Sequence, residues 1–219
     1  VDSFHELELL NSLSQNNHVI QDILIRLSPA IELDERTHKY TTTGILDSKF
    51  GFAIDNGDAE KAINLIESMN NLNLIGVHFH LGSPLFSIVP YVLGIKKVIE
   101  FLSQFKNLNL KEFSPGGGFA VPYTVEDKTP SVKEYAEAIC NTLNQSLDFF
   151  NMPKPKLIIE PGRAITGPAG VAIYSVGAIK NIENVRKYIA VDGGMGDNIR
   201  PALYGAKHQI IPSIKNKKT

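Results

Sequence analysis

The sequence predicts an α/β chain: the later strands of a partial (β/α)8 TIM-type barrel, followed by the start of a β-rich domain. Three observations carry this. Apolar, β-rich runs alternate with segments of helical period, at roughly 40 residues per repeat. Polar or glycine-rich residues stand at one strand end after another: Arg26, His78 and His80, Ser114 with Gly116-Gly117-Gly118, and Glu160 with Gly162 and Arg163. In a barrel all strand C-termini share one rim, so these groups converge on one pocket, whereas a doubly wound sheet would spread them along a crevice. After Arg163 the alternation stops, and GPAGVAIYSVGAIKNI, KYIAVDGG and KHQIIPSI read as strands with short connections. The domains are therefore expected at 1–166 for the barrel part and 167–219 for the start of the β-rich part.

Each element has its own signal. Val1 and Asp2 read as the end of an earlier strand. Ser3 with Glu6 three residues on is a capping-box pattern that opens a helix over Phe4 to Ser14. Ile23 to Leu27 is an apolar strand. Gly57-Asp58 opens a helix to Met69 with Ala62, Ile63, Leu65, Ile66 and Met69 on one face. Strands at Leu74 to His80, Lys111 to Ser114 and Lys156 to Glu160 then alternate with helices at Tyr91 to Phe105 and Val132 to Phe150. Cys140 is expected to be a buried small hydrophobe on the last helix, and the Lys- and Asn-rich end after Ile214 reads as a frayed terminus.

Composition narrows the function classes. With 219 residues, 43% hydrophobic and 21% charged, the chain has the make-up of an ordinary globular protein and not of a disordered one. Lys plus Arg total 22 against 23 Asp plus Glu, so no single-sign field exists to recruit nucleic acid or an acidic membrane, and a small-molecule partner is expected. A lone cysteine makes no internal disulfide, which points to the cytoplasm. No apolar run approaches the roughly 18 residues of a membrane helix, and VDSFHELELL lacks a signal-peptide layout. The start at Val1, without Met, suggests a piece of a longer polypeptide.

Several groups carry chemistry. Gly116-Gly117-Gly118 is either a tight turn or a cradle whose N–H groups approach an anion. IIEPGRAITG places the Glu160 carboxylate and the Arg163 guanidinium three residues apart at a strand end, where a barrel often builds its phosphate site. His78 and His80 share a side of their strand by its period of two. They could ligate a metal, lie flat on a cofactor ring or be core histidines; no acidic or Cys partner nearby completes a zinc-like set, so no metal is expected.

HFHLGS, PGGGF, EPGR and DGGMGDNIRPALYGA, with TTGILDSKFGF around Lys49, occur in the order and approximate spacing of the fold-type III pyridoxal 5'-phosphate (PLP) decarboxylases. The chain most closely resembles the diaminopimelate decarboxylases among them, from Val1 to about Pro212. The resemblance implies PLP as cofactor and decarboxylation of meso-diaminopimelate to L-lysine, the last step of lysine biosynthesis. It places His80 on the face of the pyridine ring, and Ser83, the Gly117-Gly118 loop and Gly162-Arg163 on the phosphate. Glu160 pairs with the pyridine nitrogen, where a carboxylate keeps the ring protonated as an electron sink; an Arg there would favour a racemase. Arg163, Arg200 and Tyr204 match positions that hold the distal amino-acid end of the substrate, a task for which the planar guanidinium fork suits a carboxylate. The plain reading of Arg200 is a surface salt bridge, and Arg26, Asp47 and Lys49 could be structural ion pairs.

The sequence also departs from the family pattern. Pro84 follows HFHLGS where the pattern has a polar residue such as Gln. A YAxKAN-like segment with the Schiff-base lysine is not found, nor a CESxD-like segment, and Lys49 belongs to another motif. About half the barrel and most of the β-domain are thus expected outside this chain, which by itself should be inactive. The parent protein is expected to be a homodimer with shared active sites. The alternatives are another decarboxylase of the same fold type, acting on carboxynorspermidine, ornithine or arginine, or a non-catalytic homologue.

Overall fold

Capping and apolar period start the chain as the sequence suggests. In the structure, a computed structural model that describes residues 1–33 and 48–213, Ser3 is extended and its Oγ accepts the Glu6 N–H at 3.3 Å, opening α1 (Phe4–Asn16). The Glu6 carboxylate reaches back one residue further than a capping box requires, accepting the Asp2 N–H at 2.6 Å. There follow β1 (Gln21–Ser28), β2 (Phe52–Ala53), α2 (Asp58–Glu67), β3 (Leu72–His78), α3 (Val89–Leu102), β4 (Glu112–Ser114), α4 (Val132–Phe149) and β5 (Lys156–Leu157). On α4 both halves of a capping box close between Ser131 and Glu134. These elements lie in one compact unit, Val1–Val121 with Thr129–Ile165.

The sheet order is β2-β1-β3-β4-β5, every pair parallel. The strands β1, β3, β4 and β5 neighbour one another in chain order, and β2 pairs on the opposite edge of β1, giving a parallel sheet packed against helices. Val1 lies along the second edge of β1: its amino group donates to the Leu24 carbonyl at 2.7 Å, and its carbonyl accepts the Arg26 N–H at 2.8 Å. That edge continues with β2, paired to Leu27 and Ser28.

Strand periodicity sorts the side chains into two faces. Ile23, Ile25 and Leu27 of β1, Val77 of β3 with Phe79 and Leu81 beyond it, and Phe113 of β4 join Ala62, Ile63 and Ile66 of α2, Ile95 and Ile99 of α3, and Ile139 and Leu143 of α4 in one core. Full burial of such a side chain is worth about 1.5–3 kcal/mol. The alternate residues, Leu24, Arg26, His78 and His80, are left for the other face.

Some expectations need correction. The expected strand over Lys156 to Glu160 shortens to Lys156–Leu157 because Pro115 and Gly116, with φ +75°, turn its neighbour β4 away; Glu160 then makes only an isolated bridge to Gly117. The strand expected at Leu74 to His80 is shifted to Leu72–His78. β2 was not among the expected strands; its two residues pair only because the end of β1 presents an open edge. Cys140 is exposed, since the buried stripe of α4 runs through Tyr135, Ile139, Thr142, Leu143 and Ser146, one helical step away. Asp47 and most of the TTGILDSKFGF stretch lie outside the described residues.

The second unit comprises Pro122–Lys128 and Thr166–Thr219. Gly162–Thr166 forms a short α5, and a 3-10 turn follows at Gly167–Ala169. An antiparallel hairpin pairs β6 (Val176–Ile182) with β7 (Arg186–Val191), turning where Asn184 takes φ +57°. Every residue of the hairpin is exposed, Ile179, Tyr188 and Ile189 included. α6 (Arg200–Tyr204) starts with Pro201 in its first turn and stops at Gly205, φ +62°. The strand expected at KHQIIPSI does not form over its described residues, 207–213: Pro212 has no N–H, and the segment's backbone bond is a single one, from Gln209 N–H to the Tyr123 carbonyl at 3.0 Å. No helix among the described residues is long and apolar enough to cross a membrane.

Candidate active site

The polar face of the sheet gathers the strand-end groups of the first unit. His78, at the end of β3, sets Nε2 3.2 Å from Oε1 and 3.3 Å from Oε2 of Glu160, which follows β5. Arg26 of β1 lies beside them, its Nε 4.0 Å from Asp2 Oδ1 and its guanidinium 4.4 Å from the Phe50 ring centre. Asp2, Leu24, Arg26, His78 and Glu160 line a cleft of about 400 Å3. A second cavity, of about 240 Å3, lies where β3 begins, lined by Leu72 and Asn73 and by none of these groups.

Burial sets the charge states. Desolvation pushes the His78 imidazole below its ordinary value, although the Glu160 carboxylate pulls the other way. His80 is lowered by burial first and then by the positive charge of Arg26. The Gly117 N–H donates to His80 Nδ1 at 3.2 Å, so that nitrogen is an acceptor and the ring is neutral with its orientation fixed. Arg26 is itself lowered by burial, against the pull of Asp2 and Glu160.

The glycine loop is held by close backbone approach. A Cβ on Gly117 would stand 2.0 Å from the Glu160 carbonyl oxygen, and one on Gly118, at φ +98°, would stand 2.2 Å from that of Gly82. Tyr91 OH donates to the Gly117 carbonyl at 2.7 Å and Leu85 N–H to that of Gly118 at 2.8 Å. Burial raises the Tyr91 phenol, keeping it a neutral donor. Ser83, before a cis peptide bond to Pro84, accepts from Arg163 Nη2 at 3.2 Å. The Gly162 N–H donates to the Glu160 carbonyl at 2.9 Å, and its α-carbon faces open space. His80, Ser83, Gly117, Gly118, Glu160, Gly162 and Arg163 are thus tied together through the loops after β3, β4 and β5.

Arg200 and Tyr204 belong to the second unit, where the Arg200 guanidinium lies 5.4 Å from the Tyr204 ring centre and the Asn198 side chain accepts the Arg200 N–H at 3.2 Å. Sequence reasoning missed Tyr91, which anchors the glycine loop, because an aromatic residue on a helix face reads as core. It left His78 open between a metal ligand, a ring-facing imidazole and a core histidine; the contact with Glu160 has no local signal, because it joins the ends of two different strands.

Residues 1–167 match the family model described as the pyridoxal-dependent decarboxylase, pyridoxal binding domain. The chain belongs to the pyridoxal-dependent decarboxylase family. The diaminopimelate decarboxylase of Bacillus methanolicus is 42% identical over 218 residues, 98% of this chain and 50% of that protein. The crystal structure of diaminopimelate decarboxylase from M. jannaschii in complex with L-lysine superposes with a TM-score of 0.84 at 34% identity, over 95% of this chain and 48% of that one. The Helicobacter pylori enzyme with L-lysine gives 0.83 at 33%, over 97% and 52%. The chain spans about half the length of the curated relatives it matches.

PLP is the cofactor of this decarboxylase family, and the donor set fits it. PLP presents a flat ring, a basic ring nitrogen and a phosphate. Against these the site sets a neutral, fixed imidazole at His80, a carboxylate at Glu160, and the Ser83 hydroxyl joined to the Arg163 guanidinium. Among the described residues no three His, Cys, Asp or Glu side chains cluster as metal ligands would.

Proposed function

We propose that the protein to which this chain belongs decarboxylates meso-diaminopimelate to L-lysine with PLP, acting in the cytoplasm as a homodimer with shared active sites. Residues 1–166 form the later part of the PLP-binding barrel and 167–219 begin the β-rich domain. The observation that carries the reading is the Glu160 carboxylate at the strand ends, tied by backbone to the glycine loop and by side chain to His78. The family match and relatives named diaminopimelate decarboxylase support it.

PLP, when bound, supplies the conjugated ring that accepts the electron pair left on Cα as CO2 departs. Glu160 holds a proton on the ring nitrogen, because a carboxylate at hydrogen-bond distance favours the protonated form. His80, neutral and held through Nδ1, orients the ring plane. Ser83 and Arg163 would receive the phosphate, in a cradle shaped by the Gly117-Gly118 loop and Gly162, where the small residues leave room for it. Arg163, Arg200 and Tyr204 would hold the distal carboxylate of the substrate, a group that ornithine lacks. No residue of this chain is assigned to the covalent attachment of PLP.

The test is turnover by the full-length protein supplied with PLP, with meso-diaminopimelate, carboxynorspermidine, ornithine and arginine offered separately. CO2 and lysine are expected from diaminopimelate alone, and Arg200→Leu should raise KM for it. Preferred turnover of ornithine, or no PLP bound at all, refutes the proposal.

A further inference from the structure

Glu160 lies in an unusual setting for a carboxylate that must stay both fixed and basic. Its side chain is 53% exposed, and both its oxygens lie within 3.3 Å of one nitrogen, His78 Nε2. Among the described residues no other side chain hydrogen-bonds to that carboxylate. Arg26, the cation lining the same cleft, makes its close contacts with Asp2 and the Phe50 ring and acts on Glu160 through space.

From this geometry we infer that His78 is a positioning residue for Glu160: as a neutral imidazole it donates its Nε2–H to the carboxylate and fixes its place without adding a positive charge. The inference deepens the reading of Glu160 as the partner of the PLP ring nitrogen and rests on it. A donor is required because a half-exposed glutamate samples several rotamers, and one directional bond selects among them. Neutrality matters for a separate reason. A lysine or arginine in that place would stabilise the carboxylate and weaken its hold on a proton shared with the ring nitrogen. A neutral donor does so less.

The surroundings keep His78 uncharged. The side chains that act on it are Glu160 after β5 and Arg26 of β1; burial first and then Arg26 favour the neutral ring, and Glu160 opposes them.

Two measurements on the full-length protein test this. The first needs no cofactor: the side-chain order of Glu160, read from 13C relaxation of its methylene groups in wild type, His78→Leu and His78→Gln. Glu160 should hold one rotamer in wild type and spread over several in His78→Leu, since the one directional bond to it is lost. His78→Gln, a neutral donor of similar reach, should restore the single rotamer. The second is the 15N resonance of ring-labelled PLP bound to the protein. It should report a protonated nitrogen in wild type and His78→Gln, and a shift toward the unprotonated form in His78→Lys. A Glu160 side chain as ordered as in wild type in a folded His78→Leu variant overturns the role of His78 while leaving Glu160 as the ring partner. An unprotonated ring nitrogen in wild type, insensitive to Glu160→Gln, overturns the reading on which it rests.

Discussion

Replacing Gly117 by Ala tests how closely the glycine loop and Glu160 are built against each other. The added methyl would stand 2.0 Å from the Glu160 carbonyl oxygen, where real contacts essentially never come below 3.0 Å, so the two backbones must part by about 1 Å. Gly117 does not need a left-handed backbone, so the cost is steric: roughly 1–3 kcal/mol for an overpacked site. For a unit of this size that corresponds to a fall in Tm of roughly 2–12 °C. Gly162 is the control, because its Cβ meets nothing within 4 Å. Gly162→Ala should leave Tm within about 1–2 °C, as open surface sites do. Thermal denaturation by circular dichroism and a PLP titration of both variants make the assay. Gly117→Ala should lose stability and weaken PLP binding together, because the displaced segment carries Glu160. Equal Tm values for the two alanine variants would show that the loop and Glu160 are not in the contact described.

Tyr91→Phe removes the buried donor to the Gly117 carbonyl and should destabilise by about 1–3 kcal/mol, read as a lower urea midpoint at unchanged slope. Phe79→Ala, fully buried and edge-on to Phe113, should cost about 3–5 kcal/mol; a loss under 1 kcal/mol would contradict the core packing. Because His78 and His80 are held below the ordinary 6.5, the unfolded chain binds more protons at mildly acid pH. Their contribution to stability is therefore complete above about pH 6.5 and is lost as pH falls through the folded-state values. Denaturant midpoints at pH 5 and 7.5 should differ in wild type and converge in the His78→Gln, His80→Gln double variant. Asp127, lowered by the Tyr123 and Thr124 N–H groups, acts in a separate window, its contribution lost only below the ordinary carboxylate range.

Much of this protein was legible in one dimension. The alternation of apolar runs with helical period specifies parallel strands and covering helices, because a strand shows each face every second residue and a helix every third or fourth. The polar groups at the strand ends announced a common rim, and EPGR placed a carboxylate there with an arginine beside it. Cys140 shows the limit of such reading: one residue of rotation moves a side chain about 100° around a helix, and only the packed neighbours decide which stripe is inside. The same limit applies to KHQIIPSI, which has strand-like residues but no ladder over its described part, since a strand exists only with a partner.

The amino-acid sequence by itself therefore determined the fold class, the order of the elements and the identity of the groups at their ends. Tertiary structure decided which of those groups meet. Glu160 and His78 are 82 residues apart, and their contact depends on β3 and β5 each pairing in register with β4 between them, and on a glycine loop after β4 narrow enough to let Glu160 approach. Register and close approach are properties of pairs of strands, and no local pattern along one strand encodes them.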